Sequence, residues 1–269
     1  MIKYFKESFR RKKARRFTRD YPAIVSKFNL EKEGVVEFAN WDNPLVSKIE
    51  LNQEIIDFFR QYIKEGDLVI DIGANTGDTT VPMAIAAGKT GIALGFDPNP
   101  YVYKILEANA NLNKDRTNIK AYPCAISTEP NEYYFISSEA SFANGGISLT
   151  KESYHGKFIS PEKIKGVNLA TLLQEEYADK LDNFSFLKID TEGYDKEIIK
   201  SVHDLIAKYK PILVAESFGK SKDEDKMELF EVIDQHGYDI FRFEEGKIVE
   251  HWDVLQIVPP ASQNGNGMF

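Results

Sequence analysis

The chain has 269 residues, 42% of them hydrophobic, and one cysteine, Cys124. That is enough apolar material for one large domain with its own core, and it excludes an internal disulfide framework. The net charge of −8 argues against nucleic-acid binding by the body, and the four scattered histidines leave no Cys/His cluster with zinc spacing, so no metal site is expected.

The charge is unevenly placed. Residues 1–20 hold nine basic side chains (Lys3, Lys6, Arg10, Arg11, Lys12, Lys13, Arg15, Arg16, Arg19) against Glu7 and Asp20, a net of +7, so the rest of the chain carries −15. Ile2, Phe5 and Phe9 recur at spacings of three and four, with Tyr4 nearby. Two readings stand: a basic amphipathic helix on an anionic membrane or acidic partner through residues 1–19, or a solvated tail. No window approaches the length of apolar run that spans a bilayer, and the charged start lacks an apolar core segment after it. The sequence therefore predicts a cytoplasmic protein, peripheral to a membrane if the basic segment binds one.

Residues 21–50 mix aromatic and polar side chains as a cap or short strands, with Val35–Phe38 the best strand. Apolar positions from Ile55 to Ile63 predict a helix over 53–63, stopped by Gly66 at its C′ position. Strands and helices then alternate: strand 68–71 and helix 79–87, strand 92–97 and helix 101–113, strand 119–125, strand 132–136. Later come strand 186–189 with helix 196–209, strand 212–215 with helix 226–235, and a final antiparallel pair at 238–243 and 254–258. Such alternation of apolar strands with helices means a parallel sheet covered on both faces. Residues 137–165 are polar and rich in Ser and Gly and read as one long loop; 261–269 reads as a tail.

The chemistry concentrates where apolar strands end. Leu68–Ile72 contains Asp71 and runs into Gly73, Asn75, Thr76 and Gly77, a strand, glycine turn and helix start that bring bare N–H groups to a ligand. Asp97 ends the next apolar strand, where a carboxylate accepts from ribose hydroxyls. A third glycine in register is missing, which excludes a dinucleotide fingerprint. Asp190 and Glu192 follow another strand, and Glu216 ends the one after it.

Four segments, Val69–Gly77, Phe96–Pro100, Leu187–Tyr194 and Ile212–Glu216, fall in the order and spacing of a known family. The chain resembles a class I S-adenosylmethionine-dependent methyltransferase of the FkbM type over roughly residues 50–258. It departs from that pattern in carrying Asp97 where the family more often has Glu, and Leu169–Leu173 where the family often has Asp-Asp. The resemblance implies an α/β, Rossmann-like fold: a seven-stranded, mostly parallel sheet with an antiparallel C-terminal strand and helices on both faces, occupying residues 51–260.

The resemblance also implies roles. Asp71, Gly73, Asn75, Thr76 and Gly77 would face the methionine part of S-adenosylmethionine, with the Asn75 side chain holding the turn. Asp97, with Pro98 and Asn99, would hold the ribose, and Ala125 would lie near the adenine, beside a buried Cys124. Asp190 and Glu192 would be catalytic, one accepting a proton as the methyl moves. By their places in the chain rather than by the resemblance, Glu216 at a strand end, His155 in the long loop and Asn144 are candidates to bind the acceptor, with the Asn144 turn either part of a lid or a plain loop tip. Plainer readings compete: Asp97 as the carboxylate cap of the next helix, Asp190 as the cap of the helix after it, with Glu192 in that helix's first turn. The implied activity is O-methylation of a hydroxyl on a glycan, glycolipid or natural product; N-methylation or a nonenzymatic cofactor-binding module are the alternatives.

Overall fold

Alternating apolar strands and helices build a five-stranded parallel sheet. The computed structural model describes residues 2–191, 193–216, 222–244 and 247–252; for residues 2, 3 and 242–252 the backbone alone is described. The chain divides into two compact units, Met1–Gly219 and Lys220–Phe269. The first opens with α1 (Ile2–Ala14) and a hairpin of β1 (Ala23–Leu30) and β2 (Gly34–Trp41). Then come α2 (Gln53–Phe59), β3 (Leu68–Ile72), α3 (Thr80–Ala87), β4 (Ile92–Phe96), α4 (Pro100–Asn111) and β5 (Ile119–Tyr122). Asn52 caps α2 by accepting from Ile55 N.

After a second, smaller sheet, the chain continues through α5 (Leu169–Glu176), a short 3₁₀ turn, β10 (Phe184–Ile189), α6 (Asp195–Ser201), α7 (His203–Tyr209) and β11 (Ile212–Ala215). The central sheet runs β11-β10-β3-β4-β5, every pair parallel. All residues of β3 and β4 are buried, so both faces of the sheet are covered. Val69, Ala93, Ile119 and Phe186 share one core with α2, α3, Val36 and Phe38.

The second sheet has the order β6-β9-β7-β8, from β6 (Cys124–Ile126), β7 (Asn131–Ser137), β8 (Gly146–Ser148) and β9 (Phe158–Val167). Three expectations change here. The strand expected over 119–125 breaks at Pro123, which has no N–H to continue a ladder, and its halves join different sheets. The expected loop 137–165 contains β8 and most of β9. Its polar residues are the outward side of a half-exposed strand; Lys163, for example, pairs with Glu132 of β7 at 3.1 Å. The helix expected over 196–209 is two helices that meet at Val202.

Gly66 does not end α2, which closes at Phe59. With φ at +96°, Gly66 instead shapes the approach to β3 and donates its N–H to Ala87 O. Among the described residues the expected seven-stranded sheet has five strands. The last pair, β12 (Ile240–Glu244) and β13 (Lys247–Trp252), forms a separate antiparallel ribbon in the second unit, which also holds α8 (Asp223–Asp234). The strand expected at 254–258 and the tail at 261–269 lie outside the described residues.

Candidate active site

The turn after β3 is shaped by close packing of two strand ends. Gly73 has φ at +76°, and a Cβ there would stand 1.8 Å from the carbonyl oxygen of Asp190. Only glycine lets β3 and β10 end side by side this way. Gly73 and Ala74 both donate to Phe96 O, at 2.9 and 3.0 Å. Asn75 takes a left-handed conformation (φ 48°) and donates its backbone N–H to Asp97 Oδ2 at 2.8 Å. The Asn75 side chain was expected to hold the turn; among the described residues its backbone does so. Thr76 is buried, with its carbonyl taken by Asn109 Nδ2 at 2.7 Å, and Gly77 packs closely on Leu106.

Asp97 is buried at the end of β4, and both its oxygens are used. Oδ1 accepts from Asn99 N and Oδ2 from Asn75 N, each at 2.8 Å. Burial pushes its carboxyl up to about 7; the two N–H bonds pull it down, Asp71 raises it, and Lys188 lowers it. The helix that follows is capped by Asn99, which accepts from Tyr101 N at 3.1 Å, not by Asp97. Asn99 also donates Nδ2 to Phe142 O at 2.7 Å, so its side chain is engaged within the protein. Pro98 lies between the two, and Pro100 opens α4 at its first turn, where no N–H is needed.

The chemistry of the site centres on Lys188. Parallel pairing of β10 with β3 puts Lys188 opposite Asp71, so both side chains rise from the same face. Lys188 Nζ lies 3.3 Å from Asp71 Oδ1 and 3.3 Å from Asp190 Oδ2. Asp71 is fully buried, and its other oxygen accepts from Thr80 Oγ1 at 2.6 Å. Burial works against the charge on Lys188, but Asp71 and Asp190 outweigh it and hold its pKa above the usual lysine value. Asp78, half-buried nearby, has its carboxyl raised by burial and by the charge of Asp71.

Asp190 is not a helix cap, since α6 begins five residues later behind Tyr194. Its backbone N–H donates to Ile72 O at 3.0 Å, which fixes it beside the glycine turn. Asp195 ties the following segment together: its carboxylate accepts from Thr191 Oγ1 (2.8 Å), Gly193 N (3.4 Å) and Glu216 N (3.3 Å). Glu216 thus begins at the end of β11 beside β10, with an exposed residue surface. Glu192 lies outside the described residues.

The structure brings Asp71, Gly73, Asn75, Asp97 and Asp190 to one end of the sheet. Asn144 joins them only indirectly. It accepts from Ser137 and Ser138 and lies in the connection between β7 and β8, whose Phe142 carbonyl accepts from Asn99. His155 packs its ring on Gly146 and on Tyr154, 4.1 Å between ring centroids, contacts that belong to the second sheet and its loop rather than to the strand-end carboxylates. Burial lowers its pKa. Ala125 is buried in β6 next to Cys124, whose thiol burial pushes up to about 12. Sequence reasoning missed Lys188 as the partner of both acids, and Asn109 and Asp195 as the ties of the turns. One signal was visible: a lysine within an otherwise apolar strand.

Comparison with known proteins identifies the family. The FkbM methyltransferase domain matches residues 71–240, beginning at Asp71. Over 230 residues the chain is 24% identical to the methyltransferase sdnD of Sordaria araneosa, covering 73% of this chain and 85% of that protein. The crystal structure of methyltransferase FkbM from Methylobacillus flagellatus aligns with a TM-score of 0.42 at 14% identity. That alignment covers 64% of this chain but 38% of the solved one, so the chain spans well under half of that protein. The domain match extends over more than half of the sequence, and the chain belongs to the FkbM methyltransferase family.

Proposed function

We propose that the protein transfers a methyl group from S-adenosylmethionine to a hydroxyl oxygen on a glycan, glycolipid or natural-product acceptor. The observation that carries the reading is a set of two differently prepared carboxylates at the ends of β4 and β10, the two strands that flank β3. Asp97 is buried and held by two backbone N–H groups; Asp190 is part-exposed and held by Lys188. Each Asp97 oxygen takes one N–H and keeps further acceptor capacity, which suits the two hydroxyls of a ribose. The donor set therefore fits the cofactor. When bound, S-adenosylmethionine supplies an electrophilic methyl group on a sulfonium sulfur.

The chain's own residues do the rest. Gly73 and Asn75 hold the turn against Asp97, so the ribose acceptor is fixed before the cofactor arrives. Asp190 would orient the acceptor hydroxyl and take its proton. Lys188 fixes the direction of Asp190, and Asp71 acts through Lys188 from beneath. Glu216 borders the acceptor side.

The test is release of S-adenosylhomocysteine with a panel of glycan and natural-product alcohols, alongside calorimetry with S-adenosylmethionine and NAD. Turnover with an alcohol, and Asp190→Asn lowering it while cofactor affinity holds, supports the reading. Binding of NAD but not S-adenosylmethionine overturns it, as does methylation confined to amines.

A further inference from the structure

The N-terminal helix faces the opposite way from an ordinary surface helix, which buries its apolar stripe against the core. In α1 the residue packed into the body is Ala14, fully buried, with Tyr21, Trp41 and Val102 in its cluster. On the same side lies Arg10, paired with Asp42 at 3.1 Å and Glu7 at 3.4 Å. One helical turn is 3.6 residues, so Phe5, Phe9 and Lys12 lie on the opposite side, away from the body. The aromatic rings are indeed in solvent: Phe5 is 64% exposed and Phe9 58% exposed. Tyr4 and Phe17 are exposed beside them. Arg11, Lys12, Lys13, Arg15 and Arg16 are all exposed, and Lys13 Nζ sits 4.7 Å over the Phe9 ring. The end of the segment is fastened to the body, where Ala140 N donates to Arg15 O at 3.4 Å.

We propose that residues 4–17 dock this protein on an anionic phospholipid surface. Phe5 and Phe9 enter the boundary between headgroups and acyl chains, while Lys12, Lys13 and Arg16 meet the phosphates. Charge complementarity selects the occupant. The rest of the chain carries −15 and is repelled by an anionic bilayer, so attraction is confined to this one +7 segment. A bilayer meets both halves of the segment at once, with phosphates for the cations and a continuous apolar layer for two outward phenylalanines. The helix is far too short to span a bilayer, and among the described residues no helix is long and apolar enough to cross one.

The experiment is co-sedimentation of the full chain with vesicles of phosphatidylcholine alone and of an equimolar mixture with phosphatidylserine. Binding to the mixed vesicles alone, weakened by salt, is the expected result. Lys12→Ala and Lys13→Ala each lower that binding about fivefold. Phe5→Ser and Phe9→Ser each lower it about tenfold. A Phe9→Trp variant keeps an apolar ring at that position and reports entry directly, by a blue shift in emission on mixed vesicles. No binding to mixed vesicles overturns the proposal, and so does equal binding by the Phe5→Ser/Phe9→Ser double variant. An unshifted emission from the Phe9→Trp variant on those vesicles overturns it too. Tighter binding to polyglutamate than to vesicles reassigns the helix to an acidic protein.

Discussion

Replacing Lys188 with methionine keeps an unbranched side chain one atom shorter and removes the charge that Asp71 and Asp190 share. At 3.3 Å and an effective dielectric near 20, each ion pair is worth about 5 kcal/mol before desolvation is counted. The Asp190 pair is strongly discounted, because that side chain is 42% exposed and water replaces the lost cation. The Asp71 pair is not, because Asp71 is wholly buried with its other oxygen already taken by Thr80. Lys188→Met therefore leaves a buried carboxylate uncompensated and costs about 3–5 kcal/mol, a large share of a typical domain's stability. Urea unfolding followed by circular dichroism measures it. In the native protein the pKa of Lys188 is raised. Its contribution is therefore complete below the unfolded lysine value of 10.5 and is lost only as pH rises through the folded one. Adding Asp71→Asn to Lys188→Met recovers most of the loss, because the orphaned charge is gone. A loss under about 1 kcal/mol, or no recovery in the double variant, refutes the claim that Lys188 neutralises Asp71.

Three further outcomes follow from the site. Gly73→Ala places a methyl group against the Asp190 carbonyl in a left-handed conformation and costs about 3 kcal/mol or more; Gly34→Ala, with φ at +67° and open space around it, costs about 1–2 kcal/mol. Comparable unfolding midpoints for the two variants contradict the close approach of β3 and β10. Asp97, with its carboxyl near 7, is ionised above that value, so calorimetry shows cofactor affinity rising with pH through about 7 and levelling above it. Its stability term has the reverse sense: the folded carboxyl keeps a proton the unfolded one has lost, so Asp97 stabilises less as pH rises from 3.8 to about 7. An affinity flat across this range argues against a ribose contact. Asn109→Ala removes two bonds to Ala39 and one to Thr76 from a buried site and lowers stability by about 2–4 kcal/mol in thermal unfolding, whereas a loss below about 1 kcal/mol shows the tie to be dispensable.

What the sequence made legible follows the range of the interactions involved. β3, β4 and β11 stand within a residue of their expected bounds: β3 and β4 because strands buried on both faces read as apolar runs, and β11, though partly exposed, because its four residues are all apolar. β9 escaped because its outward Glu162, Lys163 and Lys165 resemble loop composition once the inward Ser160, Ile164 and Gly166 are not matched to a partner strand. The glycine turn and its acids were legible for the same local reason: Gly73, Asn75 and Asp97 are each marked by what a strand end requires. Lys188 was not assignable, because its partner depends on which residue of a parallel neighbour stands opposite, and chain spacing carries no such register. Asn109 bonds to a residue 70 positions away, and nothing within its own helix marks it.

The plainer readings of the two carboxylates fail for one structural reason. A capping acid stands at the first turn of its helix, where N–H groups lack partners. Asp97 stands two residues before the cap of α4, and Asn99 already serves that end. Asp190 stands five residues before α6. Both acids instead sit on the short connections just beyond a parallel sheet, one held by backbone N–H groups and the other by a lysine. Backbone donors are rigid and uncharged; they orient Asp97 without neutralising it, and burial brings its carboxyl to about 7. Lys188 is a cation shared with a deeper acid, and it holds Asp190 in place while part of that carboxylate stays in solvent. An acid fixed and buried suits a contact that must be the same in every turnover, such as a cofactor ribose. An acid tethered and open suits a proton that must arrive and leave, and this difference of setting separates the two proposed roles where residue type alone could not.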